Sequence, residues 1–440
     1  MEGLAADAED IPLKDSSEDV EDESEECLEP VVSVEEFWQR YTQGEKDFTE
    51  INLAGANLSG KSLSYDVNLS NANLNKANLR GVNWQSVNLS GANLKKADMR
   101  DARFDGTNFN SANLYGVNLS QANLSGANLN QANLVNANLS QANLSGANLN
   151  QANLVNANLC QANLLSAQLE KANLRKASLR ASQLGNANFS EADLNGANLS
   201  GAKLSQNYSI KFTTANLAEA NLSGLYLRKA DMRNADLTNA NLSNANFLEA
   251  NLDGANLKGV QIQGAICNEA TLFPTDFDPV KAGAYLLAPY LSLPNVDLTG
   301  RDFNSVNLKE ANLRGANLSS AQLNSSDLRD ANLNGAKLQG ANLDNTNLTR
   351  ANLRQVNLND ARLSQTDLTT ADLTEADLRQ AYLYGAKLRG ADLISADLRA
   401  ANLSYADLSG ANLTDAKIGG ADFQNATLAG AIMPDGSTHE

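Results

Sequence analysis

The sequence is short of the residues on which most catalytic sites depend. Its 440 residues include one histidine, three cysteines, seven prolines and only 5% aromatic side chains. A Ser-His-Asp triad or a Cys-His pair cannot be assembled from the single histidine, His439, which stands beside the last residue. Cys27, Cys160 and Cys267 are odd in number and widely scattered, which argues against a disulfide framework or a zinc site. We therefore predict a protein that is not an enzyme, with no catalytic, cofactor-binding or metal-binding residues.

Other common functional signals are also missing. The chain has no phosphate-binding loop, no dinucleotide glycine fingerprint and no His-Glu-x-x-His motif. No apolar run approaches the roughly 18 residues that a membrane span needs. The first residues lack the positive and apolar regions of a secretory signal, and the scattered cysteines suit a reducing compartment. The sequence thus predicts a cytoplasmic protein without a cofactor or a membrane span.

The negative charge is concentrated at the N-terminal end. The formal net charge is −17, yet residues 1–30 alone carry 13 acidic side chains and one basic side chain. The remainder has 38 acidic and 33 basic side chains, so it contains no strongly basic domain and direct nucleic-acid binding is not expected. Residues 1–32 are predicted to be an acidic disordered tail. Such a tail either keeps the protein soluble or docks on a basic partner.

What the chain has in abundance is a five-residue repeat. From Phe48 to Leu204, from Phe212 to Leu272 and from Leu298 to Met433 an apolar residue recurs at nearly every fifth position. A small residue stands two positions earlier and Asn or Asp stands between, so the unit is Ala-(Asn/Asp)-Leu-x-x. A period of five fits neither a helix nor a long strand. Because the small and central residues are two apart, they can point to the same side of a short extended segment.

A duplication within the repeats indicates the size of one coil. The segment 121–139 recurs identically at 141–159, which is a shift of four pentapeptides. Duplication of a whole coil leaves every side in register, so we predict a four-sided coil with central residues inside and backbone pairing between coils. We predict two repeat blocks, at 46–272 and 296–433. A shift of register at 206–211 predicts a loop at one corner.

The ends and the interruption are predicted from local signals. Ser33 and Glu36 form a capping-box pattern, so 33–45 is predicted to be an N-terminal capping helix, with an exposed partner-binding helix as the alternative. The interruption at 273–295 holds four prolines and four aromatic residues. Asp278-Pro279 predicts a short helix over 280–288. The segment is interpreted as a plug between stacked blocks, or else as a cleft for a ligand or partner.

The C-terminal tail, 434–440, is too short and polar to form a second capping helix. A bare solenoid end exposes unpaired backbone groups. Two outcomes are therefore open: the tail folds over the last coil of a monomer, or two copies form a weak homodimer through this end.

These repeats resemble the pentapeptide-repeat proteins. Two further segments are similar to multi-repeat members common in photosynthetic bacteria, namely Arg40-Tyr-Thr-Gln-Gly-Glu-Lys-Asp-Phe48 and Thr271-Leu-Phe-Pro-Thr-Asp-Phe-Asp-Pro279. The resemblance implies an all-β fold, a right-handed quadrilateral β-helix. Most such proteins have no assigned activity, whereas a few are DNA mimics that bind type II topoisomerases.

Two functions therefore remain open. The first is a rigid, non-catalytic scaffold or regulatory adaptor for an unknown protein partner. The alternative is a DNA-mimic regulator of a type II topoisomerase, which requires dense negative charge along the rod. The near balance of acids and bases in the repeats favours the scaffold. Asp372, Asp377, Asp392 and Asp397 could stack as carboxylates, but Asn fills the same slot elsewhere, so a solvated face is the preferred interpretation.

Overall fold

The structure, a computed structural model, describes residues 31–204 and 209–440. The named elements in this part are one helix, α1 (Val34–Thr42), and two short parallel strands, β1 (Ile266–Asn268) and β2 (Tyr285–Leu287). The predicted acidic tail lies outside the described residues, apart from its last two positions. The rest of the architecture is a solenoid held by isolated parallel bridges. A regular bridge joins a residue in the Asn/Asp slot to its counterpart four pentapeptides further on, as in Asn108 with Asn128, so four pentapeptides form one coil.

Backbone hydrogen bonds between coils follow one pattern. The amide of Leu129 donates to the carbonyl oxygen of Asn148 at 2.7 Å, and the amide of Asn148 donates to the carbonyl oxygen of Ala127 at 2.9 Å. Ala127 and Leu129 are both completely buried. The period of five thus places the small and central residues in the core and satisfies the backbone through the neighbouring coils.

The Asn/Asp slot is explained by side-chain hydrogen bonds. The Oδ1 atom of Asn128 accepts from the amide of Asn130 at 3.2 Å, which fixes the corner that follows. Its Nδ2 group donates to Oδ1 of Asn108 in the preceding coil at 3.0 Å. The corner itself needs a left-handed residue, as at Gly126 with φ of 63°. The polar repeat positions therefore specify the turns, and the apolar positions specify the core.

The N-terminal end of the solenoid is covered by α1. Phe37 is completely buried and its ring centroid lies 4.7 Å from that of Phe48 in the first coil. Ser33 caps the helix, since its Oγ accepts from the amide of Glu36 at 3.1 Å. The aromatic face of α1 therefore packs against the core of the solenoid. In the described ranges, no helix has the length and apolarity to cross a bilayer.

The predicted helix over 280–288 is wrong. The Oδ1 atom of Asp278 does accept from the amides of Val280 and Lys281, each at 3.1 Å, but only one turn forms. The chain leaves that turn at Gly283, where φ is 101°, and becomes β2. The amide of Tyr285 then donates to the carbonyl oxygen of Ala265 at 2.7 Å. Backbone pairing with the open edge of the last coil is thus formed in place of the helix that the local sequence predicts.

The interruption closes the end of the first block. The ring centroid of Phe273 lies 6.3 Å from that of Phe247 and 5.5 Å from that of Phe277. Phe273, Phe277, Ala282 and Leu286 all pack against the core of the first block. Since this end is already covered, the second block has no free coil on which to stack.

The second block does not stack on the end of the first block. Leu248 and Ile266 lie at outward positions of the first block, yet both are completely buried. They share an apolar cluster with Leu293, Leu298 and Phe303 in the first coil of the second block. The base of the second block therefore abuts a lateral face of the first block and does not continue its axis.

Two irregular regions remain. The predicted corner loop at 206–211 lies partly outside the described residues. The bridge from Asn188 to Lys211 nevertheless shows the insertion, because its partners stand three positions further apart than those of a regular bridge. At the C-terminal end the tail folds over one face. The amide of Met433 donates to the carbonyl oxygen of Ser437 at 2.7 Å, and Ile432 pairs antiparallel with Thr438.

Candidate functional site

The side chains that could hold a metal ion do not cluster in the described part of the chain. Within 31–204 and 209–440, no three His, Cys, Asp or Glu side chains come together as a metal site. His439 lies in the exposed C-terminal tail, where its amide donates to the carbonyl oxygen of Ala431 at 2.8 Å. Its Nδ1 atom lies 3.1 Å from the main-chain oxygen of Glu440.

Both described cysteines are free thiols. Cys160 points outward and its Sγ atom lies 3.0 Å from Oγ of Ser178. Cys267 occupies a central position of the repeat and is 1% exposed. Burial raises the pKa of the Cys267 thiol to about 12, so this thiol stays protonated and unreactive at neutral pH. The outward and inward positions agree with the repeat phase.

The aspartates singled out from the sequence do stack. Asp372 pairs with Asp392 and Asp377 with Asp397 in neighbouring coils. The carboxylates of Asp377 and Asp397 each accept from the arginine two residues further on, with ion-pair distances of 2.6 Å. These hydrogen bonds hold the pKa of both aspartates below the usual range. Acids that remain ionised in this way are poorly suited to general acid catalysis.

The same Asp-x-Arg arrangement recurs along the rod. Ion pairs of 2.6 to 2.7 Å join aspartate and arginine within one side of a coil at three further places, namely 98–100, 231–233 and 327–329. At these places, as at Asp377 and Asp397, the carboxylate has a counter-charge on the same side of the coil. The lateral surface has mixed charge, in contrast to a continuous acidic stripe.

The junction of the two blocks holds a largely buried arginine. Arg228 is 13% exposed, and its Nε donates to Oε1 of Glu249 at 2.9 Å. Its NH1 group donates to the carbonyl oxygen of Asn304, in the second block, at 2.8 Å. That oxygen faces the base of the block, where no lower coil exists to pair with it. Arg228 therefore supplies the hydrogen-bond donor that the backbone of a lower coil would otherwise provide.

A carboxylate is buried beside this arginine. Oδ2 of Asp302 lies 3.9 Å from NH1 of Arg228 and has no hydrogen-bond partner among the described residues. Burial raises the pKa of the neighbouring Tyr226, and Asp302 raises it further. On the other side of the junction, NH2 of Arg301 donates to the carbonyl oxygen of Gly264 at 3.1 Å. Burial lowers the pKa of Arg301.

A concave crevice opens at this junction. Its volume is about 360 Å³, and it is lined by Tyr226, Arg228 and Lys229 of the first block and by Asn304, Ser305, Gln322, Asn324 and Asn342 of the second. These groups can donate and accept hydrogen bonds, but they include no nucleophile with an adjacent base. The shape and lining of the crevice are suited to binding.

Sequence reasoning missed the junction, although a signal was present. Tyr226 and Ile266 occupy the slot that Asn or Asp fills in most repeats, and Leu248 follows a central residue where polar side chains are the rule. Three outward apolar residues in neighbouring coils indicate a covered face. What covers it could not be read from the pattern.

Comparison with protein-family models identifies one family. A model described as pentapeptide repeats matches residues 47–83, 68–106, 102–141, 112–151, 142–180, 172–206, 211–234, 230–268, 292–330, 326–365, 351–390 and 391–430. A comparison with curated protein sequences gave no match.

Solved structures give weaker overlays. HetL, a pentapeptide repeat protein involved in heterocyst differentiation regulation in a Nostoc cyanobacterium, is 24% identical, with 93% of this chain and 100% of that chain covered and a TM-score of 0.27. A pentapeptide repeat protein of the Arabidopsis thaliana thylakoid lumen is 29% identical, with 23% of this chain and 71% of that chain covered and a TM-score of 0.22. QnrB1, a plasmid-mediated fluoroquinolone resistance protein, is 20% identical, with 36% of this chain and 91% of that chain covered and a TM-score of 0.28. The assignment of the chain to a family therefore rests on the match to the pentapeptide-repeat family model.

Proposed function

Because the chain belongs to the pentapeptide repeat family, we propose that it is a rigid, non-catalytic scaffold or regulatory adaptor that binds a protein partner through its lateral surface. One observation carries the proposal. In nearly every described coil the small and central residues are buried, while the remaining positions face outward and vary in chemistry. A surface of this kind can be changed residue by residue without altering the core.

We also infer the finer features of the fold. The coils are taken to wind as a right-handed quadrilateral β-helix, with the four corners supplied by the left-handed residues described above. The free thiols Cys160 and Cys267 support a reducing, cytoplasmic location within the same proposal.

The alternative, a DNA mimic that regulates a type II topoisomerase, is disfavoured by the charge pattern. Mimicry needs dense negative charge along the rod, because duplex DNA carries one negative charge per about 1.7 Å of its axis. Here the stacked Asp377 and Asp397 are each neutralised by an arginine of the same coil. We expect no inhibition in a gyrase supercoiling assay with the full-length protein. Inhibition at low micromolar concentration, lost on mutation of surface aspartates, would replace the scaffold with the mimic.

The scaffold itself is tested by identifying what it binds. Full-length tagged protein serves as bait in an extract of the native organism, and bound proteins are identified by mass spectrometry. We expect a small set of proteins in near-stoichiometric amounts, each of which then binds the purified chain directly. Turnover of a small-molecule substrate by the purified chain, or the absence of any direct binder, would contradict the proposal.

We further propose a weak homodimer through the C-terminal end. The tail pairs with one side of the last coil only, and the amides of Ile418, Phe423 and Leu428 have no hydrogen-bond acceptor among the described residues. Their side chains are half-exposed. A second copy could pair with this edge, with a small buried area and hence weak affinity. Sedimentation velocity at several concentrations should show a dimer that Leu428→Glu abolishes, whereas Val280→Glu at the interruption should leave it intact.

A further inference from the structure

As far as residue 201, the first block has one strongly basic side. The residues on two neighbouring faces, here called the basic edge, include eight basic and three acidic side chains, whereas the two opposite faces of the same coils hold two basic and three acidic. The basic edge comprises residues 72–81, 92–101, 112–121, 132–141, 152–161, 172–181 and 192–201; the opposite faces comprise 82–91, 102–111, 122–131, 142–151, 162–171 and 182–191. The near-zero balance of the whole repeat region conceals this asymmetry.

Backbone contacts show that these residues form a continuous column. The amide of Lys76 donates to the carbonyl oxygen of Lys95 at 2.8 Å, and the amide of Lys96 donates to that of Tyr115 at 2.8 Å. The column continues coil by coil until the amide of Asn156 donates to the carbonyl oxygen of Arg175 at 3.0 Å. One cluster of lysines therefore lies near the start of the solenoid, and a second basic cluster lies four coils further along the same edge, about 19 Å away.

Most of this positive charge has no counter-charge. The three aspartates of the edge neutralise three arginines, as in the ion pair of 3.1 Å between Arg80 and Asp101. The five remaining cations have no carboxylate within ion-pair distance among residues 31–204 and 209–440; they are Lys76, Lys95, Lys96, Lys176 and Arg180. Uncompensated like charges held close together raise the affinity for an anionic ligand.

The stretch between the two clusters is uncharged and partly apolar. Tyr115, Val135 and Val155 follow one another in the column and are half-buried. Near the second cluster a shallow depression is lined by Cys160, Gln161, Arg180, Ala181, Ser200 and Gly201. A phosphate backbone would lie across this stretch with its charges unmatched. A polypeptide with acidic and aliphatic side chains can match both the cations and the valines.

Such a polypeptide begins at the foot of the basic edge. The amide of Val32 donates to the carbonyl oxygen of Asn52 at 2.8 Å, and Asn52 is bridged to Asn73 at the start of the edge. Residues 1–30, which lie outside the described part of the chain, have a net charge of −12 and include the aliphatic residues Ile11, Leu13, Val20 and Leu28. A segment of this length can span up to about 100 Å, and the tether gives a local concentration in the millimolar range.

We propose that residues 1–30 bind along the basic edge of the same molecule and cover it. The segment matches the surface in charge and in apolar character, and the chain delivers it to the correct side of the solenoid. An acidic partner that uses this edge must first displace it, so the segment acts as a built-in competitor. This binding is intramolecular and needs no partner protein, so it does not depend on the scaffold function.

The test uses the full-length protein and a zero-length carbodiimide cross-linker at submicromolar concentration, where intermolecular products are rare. Peptide mapping should find acidic residues of 1–30 joined to Lys76, Lys95, Lys96 and Lys176. The yield at Lys176 should fall about fivefold in the double variant Lys95→Glu/Lys96→Glu, and similarly in 0.5 M salt because screening weakens the attraction. The matched control, Lys211→Glu/Lys337→Glu, changes two exposed lysines; Lys211 is bridged to Asn188 on the opposite faces and Lys337 lies in the second block, so the yield should be unchanged.

Two results would overturn the proposal. One is cross-linking of 1–30 to Lys211 and Lys337 as often as to Lys95 and Lys96, which would show an unselective tail. The other is an absence of cross-links from 1–30 to the edge. In that case, binding of a short DNA duplex that the Lys95→Glu/Lys96→Glu variant loses would assign the edge to nucleic acid.

Discussion

Replacement of Leu313 by aspartate is expected to destabilise the second block by several kcal/mol. Leu313 is 1% exposed at the centre of a repeat, with coils above and below. A carboxylate there would be buried without a partner, which costs roughly 2–7 kcal/mol even if the group takes up a proton. Because each coil contacts only its neighbours, the loss should appear as early unfolding of the second block. Denaturant titration followed by circular dichroism measures it.

The control is Ser319→Asp, a little further along the same block. Ser319 is half-exposed just beyond the next central residue, and its Oγ contacts Oδ1 of Asn317 at 2.7 Å. The same added charge there remains in water, so the change in the free energy of unfolding should stay below about 1 kcal/mol. Equal stability of both variants and the wild type would show that the inward assignment of the centres is wrong.

The second large effect is expected at the junction. Arg228→Met keeps most of the side-chain volume but removes the charge that faces Glu249 and the buried Asp302. It also leaves the carbonyl oxygen of Asn304 without its donor. Removal of one partner of a buried ion pair typically costs about 3–5 kcal/mol. Since this residue joins the blocks, we expect one cooperative thermal transition to split into two in differential scanning calorimetry.

The adjacent Lys229 provides the control. Its side chain is 62% exposed and its Nζ lies 3.5 Å from Oε2 of Glu249, an ion pair of the kind that contributes at most about 1 kcal/mol. Lys229→Met should therefore unfold like the wild type in a single transition. If Arg228→Met also unfolds in one unchanged transition, the contact between the blocks does not depend on this residue.

Much of the fold could be predicted from particular residues. The identical segments at 121–139 and 141–159 indicated the length of a coil, and the repeat phase placed Cys160 outside and Cys267 inside. Ser33 and Phe37 indicated the helix that covers the first coil. These signals succeed because they are local: a capping hydroxyl acts three residues away, and a central leucine always meets the same neighbours one coil on.

The interruption shows where local signals fail. Asp278 and Pro279 form a sound helix start, and Asp278 does cap a turn. The residues that follow nevertheless pair with β1, because the last coil presents unpaired amides and carbonyls that a helix would leave exposed. Pairing with β1, which lies outside the segment, therefore decided that the residues form a strand and not a helix.

The sequence alone therefore determined the coil, its core and its N-terminal cover, because a solenoid repeats the same short-range contacts along its length. Only the tertiary structure decided how the second block sits on the first and which outward residues it buries. The hydrogen bond from Arg228 to Asn304 spans 76 residues, and Arg301 reaches Gly264 across 37. Contacts of that range depend on where the interruption leaves the chain in space, and no periodicity of one pentapeptide or one coil encodes that position.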